Sequence, residues 1–95
     1  MTFGQLKAFA TVARLGSVKA AAHSLGVSEP AVSGAVAALR RDFHDELFVR
    51  AGGGIALTAG GTRLATAAAE IIGLADRARR SVGEAQGAAE LVRVA

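Results

Sequence analysis

"GSVKAAAHSLGVSEPAVSGAVAALRR", residues Gly16 to Arg41, holds two short segments of helical periodicity separated by Gly26 and a Ser-x-Pro. Ser17 is a good N-cap, because its hydroxyl can accept from an N–H that the first turn leaves unpaired; Val18, Ala21, Ala22 and Leu25 then share one face. Gly26 follows where a left-handed C-terminal residue is wanted. Ser28 can cap the next helix, and Pro30 falls in its first turn, where a missing N–H costs nothing. Val32, Ala35, Val36, Leu39 and Phe43 recur at helical spacing as a core stripe. The opposite surface starts with Ser28, Glu29, Ser33 and Gly34, ends with Arg40 and Arg41, and is short-chained or polar throughout. A connection this short forces a sharp, fixed crossing, so the stretch predicts a helix-turn-helix.

Upstream, Thr2-Phe3-Gly4-Gln5 has the spacing of a capping box, and Phe3, Leu6, Phe9, Ala10 and Ala13 recur at helical spacing up to Gly16. Downstream, Leu47-Phe48-Val49-Arg50 and Ile55-Ala56-Leu57 are β-prone runs flanking Ala51-Gly52-Gly53-Gly54, which predicts a hairpin with a flexible tip. Thr58 can cap a long last helix, in which Leu64, Ala68, Ile71, Ala75, Ala78, Val82, Ala85, Ala89 and Val92 alternate steps of four and three. That pattern favours a two-stranded coiled-coil seam over a docking surface for another domain, and its alanines predict a close, weakly held one. Gly73, Gly83 and Gly87 within the helix each cost roughly 1 kcal/mol against Ala.

The chain of 95 residues is 52% apolar, but with only four aromatic residues its core is thin, and help from a partner chain is expected. It has no cysteine, hence no disulfide framework and no thiolate metal site, and nothing reads as a secretory leader, which points to the cytoplasm. The most apolar run, Leu64 to Ala75, is broken by Glu70 and is shorter than the roughly 20 residues a bilayer requires. Residues 1–63 carry seven basic and four acidic groups, while residues 64–95 balance four against four, so the net charge of +3 belongs to the first two-thirds. A polyanionic partner there fits that distribution.

The series "MTFGQLKAFATVARLGSVKAAAHSLGVSEPAVSGAVAALRRDF…ELFVRAGGGIALTAGG" resembles the N-terminal DNA-binding domain of LysR-type transcriptional regulators over nearly its whole length. Its landmarks are "QLKAF", "GSVKAAAHSLGVSEPAVS", "LFVR", and "LT" followed by Gly61 and a long helix. The resemblance implies a mainly α fold: a winged helix-turn-helix of three helices plus a two-stranded wing, followed by a long linker and dimerisation helix. On that reading residues 1–58 are the winged helix-turn-helix and residues 59–95 the linker helix. The third helix would enter the major groove of double-stranded DNA at a roughly palindromic operator, the wing would meet the backbone or minor groove, and the linker helix would pair two copies. Family members also usually continue into a larger effector-binding domain and form tetramers; none of that domain is present in this sequence, which reads as an excised fragment or a truncated protein, the fragment being favoured.

The expected DNA-binding residues are Ser28, Glu29, Pro30, Ala31, Ser33, Gly34, Arg40, Arg50 and Arg63, and the expected dimerisation residues are Leu64, Ala68, Ile71, Ala75, Ala78, Val82 and Ala85. Ser28 and Ser33 can donate to phosphate or base, Pro30 and Ala31 can touch a thymine methyl, and Arg50 suits a backbone or minor-groove contact. Glu29 stands where the family most often has Gln; a carboxylate only accepts, so it favours a cytosine amino group over adenine. Gly34 stands where Arg is frequent, and His44 where Gly is usual. Asp42, His44, Asp45 and Glu46 read as a solvated helix end rather than a metal or acid–base site. The Gly run lacks a following Lys-Ser/Thr, no nucleophile and base stand in a catalytic arrangement, and no cofactor or metal is called for, so an enzyme is the least favoured reading. Two alternatives are a winged helix like that of molybdate regulators, which "QLKAF" and the Ser-x-Pro weigh against, and a winged helix that serves protein assembly alone.

Overall fold

The computed structural model describes residues 1–94, and of residues 89–94 the backbone alone, so the seam positions Ala89 and Val92 lie outside the described side chains. Its elements are α1 (Phe3–Leu15), α2 (Val18–Leu25), α3 (Glu29–Phe43), β1 (Phe48–Ala51), β2 (Gly54–Leu57) and α4 (Ala59–Val94). The molecule is mainly helical, with one two-stranded antiparallel sheet.

The first three helices begin and end at their caps. The Gln5 N–H donates to Thr2 Oγ1 at 3.1 Å while the Thr2 N–H donates to Gln5 Oε1 at 3.0 Å, the reciprocal pair of a capping box. The Ala20 N–H donates to Ser17 Oγ and the Ala31 N–H to Ser28 Oγ, which satisfies a first-turn donor in each of α2 and α3. Gly16 and Gly26 close α1 and α2 at φ of 72° and 68°, a conformation glycine adopts without steric cost.

Phe9 and Val12 of α1, Ala21 and Ala22 of α2, and Val32, Val36 and Leu39 of α3 form one core with Leu47 and Phe48. The Phe9 and Phe48 rings lie 5.0 Å apart between centroids. Each large side chain enclosed here contributes about 1.5–3 kcal/mol. The predicted stripe on α3 is corrected at its end: Phe43 is 45% exposed, because the helix stops there and the ring lies on the rim of a groove beside Leu47 and Leu64 rather than within the core.

The hairpin is tighter than expected. Ala51 pairs with Gly54, so its tip is Gly52-Gly53 alone, at φ of 54° and 81°. Two positive φ angles are what a type I′ turn requires, and that turn has the twist of the flanking strands. Leu47, expected to open the first strand, instead forms the corner before it: its φ is 64°, its side chain is buried, and its carbonyl accepts from the Thr58 N–H at 3.0 Å.

Thr58 starts α4, its Oγ1 accepting from the Gly61 N–H at 2.9 Å. Leu64 and Ala65 pack against the core, Ala68 is fully enclosed, and the Arg79 guanidinium sits 5.9 Å above the Phe3 ring at the start of α1. The expectation of a single unbroken seam is therefore corrected. Leu64 and Ala68 belong to a face turned inward on the chain itself, and Ala68 has no surface left for another chain to touch. Ile71, Leu74, Ala78, Val82 and Ala85 are exposed, and at 100° per residue their mean direction lies roughly 60° around the helix from that of Leu64 and Ala68. Ala75, half-buried, shares the direction of Leu64 and Ala68 about two to three turns further along. The alternation of four and three runs through both sets, because the chain's own core covers only the first turns of the helix.

Candidate nucleic-acid interface

From Val27 to Gly34 every residue is exposed except Val32, which anchors the start of α3 in the core. Ser28, Glu29, Pro30, Ala31, Ser33 and Gly34 thus form a continuous open front on the first turns of a rigidly seated helix. Ser28 uses an oxygen lone pair to accept from the Ala31 N–H at 3.2 Å, which leaves its hydroxyl hydrogen free to donate outward. The positive end of the α3 dipole lies at this front, where it favours an approaching anion.

Beside it, a cleft of about 220 Å³ between α3 and the hairpin brings Ser33, Arg40 and Arg50 together over a floor of Val36, Phe48 and Ile55. Arg40 is held in place: its Nε donates to the Glu46 carbonyl at 2.8 Å, and its other N–H groups point to no protein acceptor among the described residues. Arg50, on β1, is exposed and pairs across the sheet with Ile55. Two guanidinium groups lining one cleft, from α3 and from β1, with a hydroxyl on the same cleft, can engage phosphate oxygens through charge-assisted hydrogen bonds.

Arg63 is not part of this cluster. It lines a separate groove of about 310 Å³ with Phe43, Leu47 and Gly60, on the side where α3 ends. Lys7 and Arg14 line a third, larger groove between α1 and α4, opposite Asp76.

Two residues escaped the sequence reading. Leu74 is 57% exposed on α4, but it falls off the alternation that starts at Leu64. Asp45, taken for a solvated helix-end acid, is partly buried: its Oδ1 accepts from the Leu47 N–H at 2.8 Å and from the Thr58 hydroxyl at 2.8 Å. Those two donors, the amide first, hold its carboxyl below the ordinary carboxylate value, against the opposite pull of partial burial. An Asp two residues before a turn amide is a recognised signal for such a bond, and it was available in the sequence.

Residues 3–62 match the profile described as "Bacterial regulatory helix-turn-helix protein, lysR family". The chain belongs to the LysR family. It carries that family's winged helix-turn-helix DNA-binding domain, and its own wing is the hairpin closed by Gly52 and Gly53. An uncharacterised HTH-type transcriptional regulator of Mycobacterium tuberculosis is 50% identical over 95 residues, all of this chain and 30% of that protein, so the chain spans about a third of that relative's length. A crystal structure of the CbnR DBD–DNA complex aligns at a TM-score of 0.78 and 41% identity, covering 90% of this chain and 99% of that one. The BenM DBD in its complex with the catB site 1 DNA shares the fold at a TM-score of 0.83 and 20% identity, over 88% of this chain and 93% of that one.

Proposed function

We propose that the chain binds double-stranded DNA as a sequence-specific dimer, within a bacterial transcription regulator of the cytoplasm. The observation that carries this reading is the open front of α3, Ser28 to Gly34, standing beside the cleft that gathers Ser33, Arg40 and Arg50. Such a front fits the major groove, where each base pair presents a distinct donor and acceptor pattern, while the arginines meet the flanking phosphates. The DNA complex of CbnR, similar over nearly all of this chain, supports the same assignment.

Within this reading residues 1–58 engage DNA, with Glu29 as the base reader, Ser28, Ser33, Pro30 and Ala31 at the base edges and backbone, and Gly34 allowing close approach. Arg40 and Arg50 contact the backbone, and Arg63 does so at its margin. Residues 59–95 pair two copies. The pairing surface is the exposed apolar face of Ile71, Leu74, Ala78, Val82 and Ala85, since an apolar strip of this length left in water favours association. A two-fold pair of reading helices calls for inverted half-sites about 34–36 Å apart, or a multiple of that. Among the described residues no helix is long and apolar enough to cross a membrane, and the relatives are named as regulators, which fits this role rather than catalysis.

Mobility shift on DNA fragments across a salt series tests the proposal. Sequence-selective binding that weakens with salt, with a slope of about −0.9 per phosphate contacted, is the expected result. Absence of any shift at low salt would instead favour a winged helix that serves assembly alone.

A further inference from the structure

One carboxylate holds the corner where α3, β1 and α4 meet. Asp45, two residues past the end of α3, accepts through Oδ1 from the Leu47 N–H at 2.8 Å and from the Thr58 hydroxyl at 2.8 Å. Thr58 in turn caps α4 through the Gly61 N–H. Among the described residues this is the one side-chain to side-chain hydrogen bond between the segment that starts α4 and the unit that carries α3. The site is shaped for it: a Cβ on Gly60 would lie 2.9 Å from the Asp45 Cγ and closer still to Oδ2, so glycine there admits the carboxylate.

We propose that Asp45 is a positioning residue for DNA recognition, fastening the first turn of α4 to the turn after α3 and so setting the separation and phase of the two half-sites. This deepens the dimeric DNA-binding reading and rests on it. Besides the Thr58 N–H donating to the Leu47 carbonyl at the same corner and the Arg79 guanidinium over the Phe3 ring, the contacts of α4 with the body are mostly apolar, through Leu64, Ala65 and Ala68, and such contacts fix distance better than angle because burial has no direction. A hydrogen bond does have direction. Val82 lies about 35 Å along α4 from Ala59 at 1.5 Å per residue, so a tilt of about 5° at the corner displaces the pairing face by about 3 Å. That is close to the ~3.4 Å by which one base pair shifts a half-site.

The test measures affinity of the 95-residue chain for inverted-repeat DNA at the best spacer and at spacers one base pair longer and shorter, with single half-site DNA as reference. In the wild-type chain the altered spacers must be absorbed by stiff DNA, and affinity falls about tenfold or more. For D45A the expected penalty shrinks to about threefold or less while single half-site binding stays within about twofold. D45N, which keeps the Oδ1 acceptor, retains the discrimination. G60A supplies an independent arm: its Cβ displaces the Asp45 carboxylate, the free end of a flexible side chain, and it copies D45A even where that variant folds poorly. A uniform loss at every spacing, with the wild-type ratio preserved in D45A and G60A, overturns the assignment and leaves the DNA-binding dimer standing. A wild-type chain indifferent to spacing overturns both.

Discussion

Substituting alanine for Gly61 and for Gly73 makes the same chemical change in the same helix, yet the two should move stability in opposite directions. A Cβ on Gly61 would lie 3.0 Å from the Leu47 carbonyl carbon, 3.2 Å from its Cα and closer still to its oxygen. These are backbone atoms at the corner that receives the Thr58 N–H, so relief requires α4 to move away from its seat. Overpacking of this kind costs about 1–3 kcal/mol. Losing the Thr58 hydrogen bond adds about 0.5–1.5 kcal/mol, and the better helix propensity of Ala returns up to about 1 kcal/mol. The net destabilisation is about 1–3 kcal/mol, a large share of the roughly 5–10 kcal/mol available to a domain of this size. At a Cβ position on Gly73 there is open space, so G73A gains the propensity term alone, about 0.5–1 kcal/mol. Urea unfolding followed by circular dichroism reads both: with a slope near 1 kcal/mol/M, the midpoint drops by about 1–3 M in G61A and rises by about 0.5–1 M in G73A. A G61A midpoint at or above that of the wild type would refute the close approach of α4 to the Leu47 carbonyl.

R50A should weaken binding by a similar factor on every DNA sequence and flatten the salt slope by about 0.9; a loss confined to one operator would contradict a backbone role. E29Q should move preference at one position per half-site from cytosine toward adenine, by about 1–3 kcal/mol, in competition binding against singly substituted operators. L74K changes a side chain that is already 57% exposed, so folding should be retained while equilibrium sedimentation shifts toward monomer. The Asp45 carboxyl, held below the ordinary value when folded, adds stability that is complete above the unfolded carboxylate pKa of ~3.9 and is lost as pH falls through its folded value. D45N should accordingly show a shallower decline of urea midpoint below about pH 4 than the wild type, and an unchanged decline would exclude that contribution.

The three-helix arrangement was legible because its signals are local. Thr2 with Gln5, Ser17, Ser28 and the two left-handed glycines mark helix limits within a few residues of chain, and the open front of α3 follows from the stripe of Val32, Val36 and Leu39 that must face the other way. What escaped depends on partners far along the chain. Periodicity on α4 counts apolar residues without saying which of them meet α1, so Ala68 and Ile71 fell on one line although one is enclosed and the other open. Leu47 reads as a strand residue by propensity, whereas its carbonyl is taken by Thr58 and its φ is positive. The tether of Arg40 to the Glu46 carbonyl exists because the left-handed His44 turns the chain back beside α3, which composition does not reveal.

In vitro selection of DNA bound by this chain from a random library reads base preference and half-site symmetry in one experiment. A dimer with two exposed Ser28-to-Gly34 fronts should enrich an inverted repeat whose half-sites lie about one helical turn, or a multiple of it, apart, with the informative bases grouped where those fronts enter successive major grooves. Recovery of unenriched sequence, or of binding that ignores half-site symmetry, would contradict it.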